Sequence, residues 1–230
     1  MRKNPSPDTI RTLLDSAEAL FAKHGFNGTS LRDITGNAGV NLAAAHYHLG
    51  DKQTLYTEVL TRRLRPINAS RVEALNQAER EARGQPVRMD QIIDIMARPF
   101  FELAADNTQG GSCFVRLLGR TLVEPLPCVE DVLAVEFEPV MARFVQAVRR
   151  HLPHLSPAEF LWRFSFVIGA IHHTLATLHC MKERTRGICQ NHDHEGALQR
   201  FSLCAIAIFA APTGSTSQLN LGASARVPEY

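Results

Sequence analysis

Residues 31–60, "LRDITGNAGVNLAAAHYHLGDKQTLYTEVL", decide the fold. The preceding Ser30 and the Asp33 inside this stretch read S-x-x-D, a capping-box start in which Ser30 satisfies an orphan amide of a short helix ending near Ala38. Gly39-Val40-Asn41 then makes a tight turn, and Asn41 is a good N-cap for a following helix of about "LAAAHYHL". Gly50 closes that helix. Asp51 caps the next, whose apolar positions Leu55, Val59 and Leu60 open a much longer segment. Upstream, a helix from about Asp8 to Lys23 gathers Ile10, Leu13, Leu14, Ala17, Leu20 and Phe21 on one face and stops at His24-Gly25, glycine supplying the left-handed residue on which helices often end. Two short helices joined by a glycine turn beside a longer one form a helix-turn-helix head.

Such a head has a specific chemistry. A helix fits the DNA major groove, and residues near its N-terminus reach base edges. Here these are Asn41, Leu42, Ala43, Ala44 and His46. The small side chains let the backbone sit deep and offer methyl contacts to thymine, leaving His46 as the main polar reader. Phosphate partners surround the helix: Tyr47 and His48 by hydrogen bonding, Lys52 by charge, and Thr29, Ser30 and Arg32 near a helix N-terminus where exposed amides favour an anion. Taken singly, Tyr47 and His48 read equally as packing residues and Lys52 as solvated. Together, the helices, turn, caps and basic edge point to double-stranded DNA.

The segments "AEALFAKHGFNGTSLRDI", "NAGVN" and "YHLGDKQTLYTEVL" resemble the DNA-binding head of the TetR family of bacterial regulators, with Phe21, Gly25, Thr29, Ile34, Ala38, Gly39, Val40, Tyr47, Gly50, Lys52 and Leu55 at the expected places. Asn41 stands where Ser is common and Leu49 where Phe is usual. The resemblance implies an all-helical homodimer whose two heads lie in successive major grooves of a pseudo-palindrome, acting as a repressor released by a small ligand. Downstream, "RRLRPINASRVEAL", "VRLLGRTLVEP" and "WRFSFVIGAIHHTL" look like one branch of that family, some of whose members respond to fatty acids or related acyl compounds.

Charge distribution agrees with a basic head. Residues 1–65 hold nine Lys/Arg against six Asp/Glu, while the remainder holds 16 against 17. A polyanion-binding module on a neutral body is the corresponding reading. With 45% hydrophobic and 21% charged residues the chain is ordinary for a globular protein. Five cysteines, an odd number without C-x-x-C spacing, and a start lacking a cleavable leader are read as reduced thiols in a cytoplasmic protein. The most apolar run, residues 164–178, is interrupted by His172 and His173 and is read as too short for a membrane span.

The expected class is all-α: a three-helix DNA-binding domain over 1–65, a larger helical ligand-binding and dimerisation domain over 66–211, and a disordered tail over 212–230. Pro66 should kink or break its helix, which sets the boundary. Further helices are expected at 67–83, 88–106, 110–123, 128–151, 157–183 and 194–211. A regulatory cavity would draw on Phe100, Phe101, Phe114, Leu118, Met141, Phe144 and Phe166, each of which reads equally as ordinary core. Arg116 and Arg120, one helical turn apart, can clamp a carboxylate or pair with Glu124, Glu136 or Glu138. The last two helices suggest a homodimer seam through Trp162, His172, Leu175, Leu198, Phe201, Ala205 and Ile208. A metal or thiol sensor is the alternative, using His172, His173, His179 and Cys180, or Cys189, His192 and His194, though neither set has a familiar zinc spacing. No cofactor is expected. Without G-x-S-x-G, a phosphate-cradling loop or H-E-x-x-H, no enzyme is expected either.

Overall fold

A computed structural model describes residues 7–41, 50–106, 108, 110–121, 126–190 and 193–213, and these form helices and their connections, with no strand among them. In the head, α1 (Pro7–His24) ends at Gly25, whose φ of 74° is left-handed. The capping box forms as expected at α2 (Leu31–Ala38): Asp33 N–H donates to Ser30 Oγ at 3.1 Å, and Ser30 N–H donates to the Asp33 carboxylate at 2.9 Å. Gly39, with φ 65°, closes α2, a conformation costly for a residue with a Cβ. Asp51 caps α3 (Lys52–Glu81), accepting the Thr54 N–H at 2.8 Å. The helix expected over residues 42–49 lies outside the described residues.

Two expectations about proline need correction. α3 runs unbroken through Pro66, so the boundary placed at residue 65 falls inside a continuous helix. Proline removes one N–H and fixes a φ that helices already use. Buried Leu60, Leu64, Asn68 and Arg71 anchor the helix on either side of it. The single helix expected over 128–151 is instead α6 (Pro127–Val132), a π-helical segment (Leu133–Phe137) and α7 (Glu138–Arg149). Pro139 cannot donate and its ring crowds the carbonyl one turn back, and the wider π spacing accommodates both.

The remaining helices are α4 (Met89–Ala105), α5 (Gly111–Thr121), α8 (Pro157–Thr177), the short α9 (Met181–Arg184) after a 3-10 turn, and α10 (His194–Ala210). From Pro157 to Arg184 the helical run is 28 residues, longer than the apolar run of 164–178; it meets the length and composition for crossing a membrane, but this single helix does not indicate a membrane protein. One face of it packs inside the protein through Phe160, Phe164, Val167, Ile171 and Leu175.

The head's core closes on Phe21, Phe26 and Tyr56, with Tyr56 edge-on to both rings at 4.8 and 5.3 Å. Ser16 donates to the Ile34 carbonyl and accepts from Asn37, tying α1 to α2. In the body, α10 packs on α4 through Phe201 and Phe101, and on α8 through Phe209 and Phe160. Buried Arg163 donates to the Phe209 and Ala211 carbonyls at 2.8 and 2.6 Å and so caps α10. α5 lies between the head's α1 and the body's α8. It approaches α8 closely because Gly119 has no Cβ; one added there would stand 2.6 Å from the Ala176 Cβ.

Candidate nucleic-acid interface and effector cavity

The expected DNA contacts Leu42, Ala43, Ala44, His46, Tyr47 and His48 lie outside the described residues. What is described is the frame around them. Ser30, Arg32 and Asn41 are exposed on the head. Ser30 is already engaged, donating its hydroxyl to the Asp33 carboxylate at 2.6 Å, and these bonds from Ser30 hold the Asp33 carboxyl below its usual range. Asp33 therefore supplies the anion at this helix N-terminus. Thr29 is a correction. Its side chain is buried, 3% exposed, and its hydroxyl donates to the Gly25 carbonyl at 2.9 Å, so it packs the turn after α1 and has no hydroxyl to offer a phosphate.

Lys52 has a role that its charge alone did not suggest. Its ammonium donates to the Phe26 and Thr29 carbonyls at 3.0 and 3.1 Å and sits 4.2 Å from the Phe26 ring centre. The charge thus neutralises the carbonyl-rich loop between α1 and α2 and locks the start of α3 against it.

A second contact ties α1 to α3. The buried Glu18 carboxylate on α1 accepts from Arg62 at 2.8 Å and from Arg63 at 3.0 and 2.9 Å, while Arg62 also pairs with Asp15 at 2.8 Å. On the neighbouring flank Arg120 of α5 reaches the Ala22 and Lys23 carbonyls at the C-terminal end of α1, each at 3.4 Å. A shift of α5 is therefore felt directly by α1.

Behind these contacts lies an apolar cavity of about 220 Å³ between α3, α4, α5, the π segment, α7 and α8. Met96, Phe100, Leu118, Leu133, Phe137, Met141, Ile168, Ile171 and Leu175 wall it, with Thr121, Glu138, His172 and Arg71 as polar members. Burial, then the nearby Arg71 charge, pushes the His172 pKa down to about 4, so its imidazole is neutral at physiological pH.

Of the expected cavity residues, Phe100, Leu118 and Met141 line it. The others are corrections. Phe101 packs on Phe201, and Phe114 is closed core. Phe144 is fully buried against the Arg71 guanidinium, and Phe166 stands 57% exposed on the outer face of α8. Arg116 is exposed and Arg120 reaches α1, and neither is among the residues that wall the cavity. Their suggested acid Glu136 is taken by Arg65 at 2.7 Å, and Glu124 lies outside the described residues. The seam also changes. Leu198, Phe201 and Ala205 are buried within their own chain on a helix packed against α4, and His172 and Leu175 face the cavity. Trp162 is exposed, and Ile208 and His172 are partly so; exposed large apolar side chains include Leu161, Trp162 and Phe166 on α8 and Leu203 on α10. Among the described residues no three metal-ligating side chains gather.

The residue sequence reading missed is Arg71. On α3 the buried positions run Leu64, Asn68, Arg71, Leu75, Ala78, a helical stripe interrupted by an amide and a cation. That interruption was the available signal.

A capped helix-turn-helix head joined by one long helix to a cavity-bearing helical body defines a DNA-binding regulator with a sensor domain. Residues 13–59 match the model of the bacterial regulatory proteins of the tetR family, and residues 94–207 match that of the tetracycline-repressor-like C-terminal domain. The chain belongs to the TetR family of transcriptional regulators; it is a DNA-binding protein and not an enzyme. It is 35% identical over 68 residues to the HTH-type transcriptional regulator BetI of Agrobacterium fabrum, covering 30% of this chain and 33% of that one. It is 37% identical over 57 residues to AcrR of Shigella flexneri, covering 25% and 26%. The matches thus span a third or less of these curated relatives. In fold it is similar to the fatty acid degradation regulator FadR of Bacillus halodurans, with TM-score 0.63 at 11% identity over 91% of this chain and 98% of that one. The regulator PfmR of Thermus thermophilus gives 0.58 at 18% over 86% and 97%.

Proposed function

We propose that this regulator is a homodimeric repressor released from a pseudo-palindromic operator when a small apolar or acyl ligand fills the cavity. One observation carries the reading: the cavity is walled by α5, and α5 itself packs on α1 of the DNA-binding head. A ligand that reshapes the α5 wall acts on the head through the Arg120 contacts and along α3, which is common to both parts. FadR, named for fatty acid degradation, shares the fold and supports an acyl effector. The apolar face of Leu161, Trp162, Phe166 and Leu203 supports a second copy as its cover, since such patches on the outside of a folded chain mark association surfaces. Two copies joined there present two heads. Residues 42–48 would then read bases, with Asn41, Ser30 and Arg32 beside the phosphates and Lys52 holding the frame behind them.

The test is selection of random DNA fragments by the purified protein at moderate salt, followed by sequencing. Enrichment of a pseudo-palindrome with half-sites separated by about one helical turn, or a whole multiple of it, is the expected outcome. Enrichment of single, unpaired half-sites would remove the dimeric reader, and no enrichment above non-specific binding would remove the operator itself.

A further inference from the structure

The cavity wall carries a cation, Arg71, that makes no ion pair among the described residues. Arg71 is 2% exposed, and its guanidinium stacks between two rings, 5.0 Å from the Phe100 centre and 4.9 Å from that of Phe144. Of its five N–H groups, one makes a bond among the described residues, from Nη1 to the Asn68 side-chain oxygen at 2.8 Å. Its Nε is buried with no partner. No carboxylate among the described residues forms an ion pair with it, and Glu138, also on the cavity wall, is not bonded to it. Burial pulls the Arg71 pKa down to about 9, which still leaves it cationic at neutral pH. A guanidinium serving only as a strut has its donors satisfied, because an unpaired buried charge is strongly destabilising. The two aromatic faces offset part of that cost but satisfy no N–H group. The polar neighbour across the cavity, neutral His172, adds no competing charge and has ring nitrogens for a further hydrogen bond.

We propose that the cavity takes a compact free carboxylic acid, its carboxylate seated inward on Arg71 and its apolar body lying against Leu118, Met141 and Ile168. The inference rests on the reading of this cavity as the effector site and specifies the ligand's class. The room of about 220 Å³ suits a small acid, of on the order of ten non-hydrogen atoms. An ester or thioester presents no anion and does not satisfy Arg71. The carboxylate bridges groups that already bear on the DNA-binding end. Asn68, which holds Arg71, also donates to the Glu136 carbonyl in the π segment, and Arg65 on α3 holds the Glu136 carboxylate.

The test is calorimetric titration of the intact protein with octanoate and 3-phenylpropanoate, each beside its matching alcohol, methyl ester and amine. Acids binding on the order of 10- to 100-fold more tightly than alcohols and esters, with amines weakest, are the expected result. In Arg71→Met, which keeps an unbranched side chain between the rings, the acids should lose that advantage while the alcohols bind as before. The wild-type comparison stands without the variant, so a failure of Arg71→Met to fold does not spoil the test. Equal affinity for acid, alcohol and ester would overturn the carboxylate assignment and leave the effector cavity standing. Absence of binding by every probe would overturn both.

Discussion

At the scale of single residues, the structure redistributes roles among cations that sequence reading treats alike. Lys52 reads as a phosphate contact, yet its ammonium is committed to two carbonyls and a ring face. Lys52→Ala should therefore lower stability by about 1–2 kcal/mol, seen as a lower Tm, and Lys52→Met should recover part of it by retaining the stem over Phe26. A solvated lysine would give no change in either variant. His172 carries a pH signature. Its pKa of about 4 in the folded protein lies below the ordinary 6.5, so between pH 6.5 and 4 the unfolded chain binds the extra proton. Stability from this group is complete above pH 6.5 and lost as pH falls to 4, with on the order of 3 kcal/mol as the upper bound. In His172→Gln, unfolding measured by denaturant across this range should show a slope shallower by about one proton; an unchanged slope would mean the imidazole is not held neutral. Arg71 was legible only as an interruption in a stripe, because a sequence does not show which cations lack an acid until the helices have met.

At the scale of elements, caps and left-handed glycines were legible because both act within four residues. Ser30 with Asp33, Asp51, Gly25 and Gly39 all behave as local chemistry dictates. The two failures came where tertiary packing outweighs local preference: α3 passes Pro66, and Pro139 lies just beyond a π segment rather than inside one long α-helix. The cavity wall depends on a contact of the same non-local kind, Gly119 against Ala176. Gly119→Ala gains about 1 kcal/mol of helix propensity but forces an overlap that costs about 1–3 kcal/mol, so a net loss is expected. Adding Ala176→Gly should raise the Tm above that of the single variant. A Gly119→Ala protein more stable than wild type would show that α5 and α8 are not in close contact.

At the scale of the whole molecule, the head's class was legible from short-range pattern, whereas the seam was half misassigned because an apolar helix does not declare which of its faces the chain keeps for itself. Leu198, Phe201 and Ala205 go inward, and Leu161, Trp162 and Phe166 remain outside. The architecture puts a cavity residue and the edge of the head on one helix: Arg71 stands nineteen residues beyond Lys52 on α3, about 28 Å at ~1.5 Å per residue. Coupling along such a path is reciprocal, so a ligand favoured by the DNA-free form must weaken DNA binding by the factor with which DNA weakens the ligand. The most direct measurement is DNA affinity, by fluorescence anisotropy on the selected operator, at zero and saturating octanoate in the wild type and in Met141→Trp, whose added ring fills the cavity. The account predicts affinity on the order of 10-fold weaker with octanoate in the wild type and unchanged in Met141→Trp. Octanoate that binds the wild-type protein by calorimetry yet leaves its operator affinity untouched would contradict it.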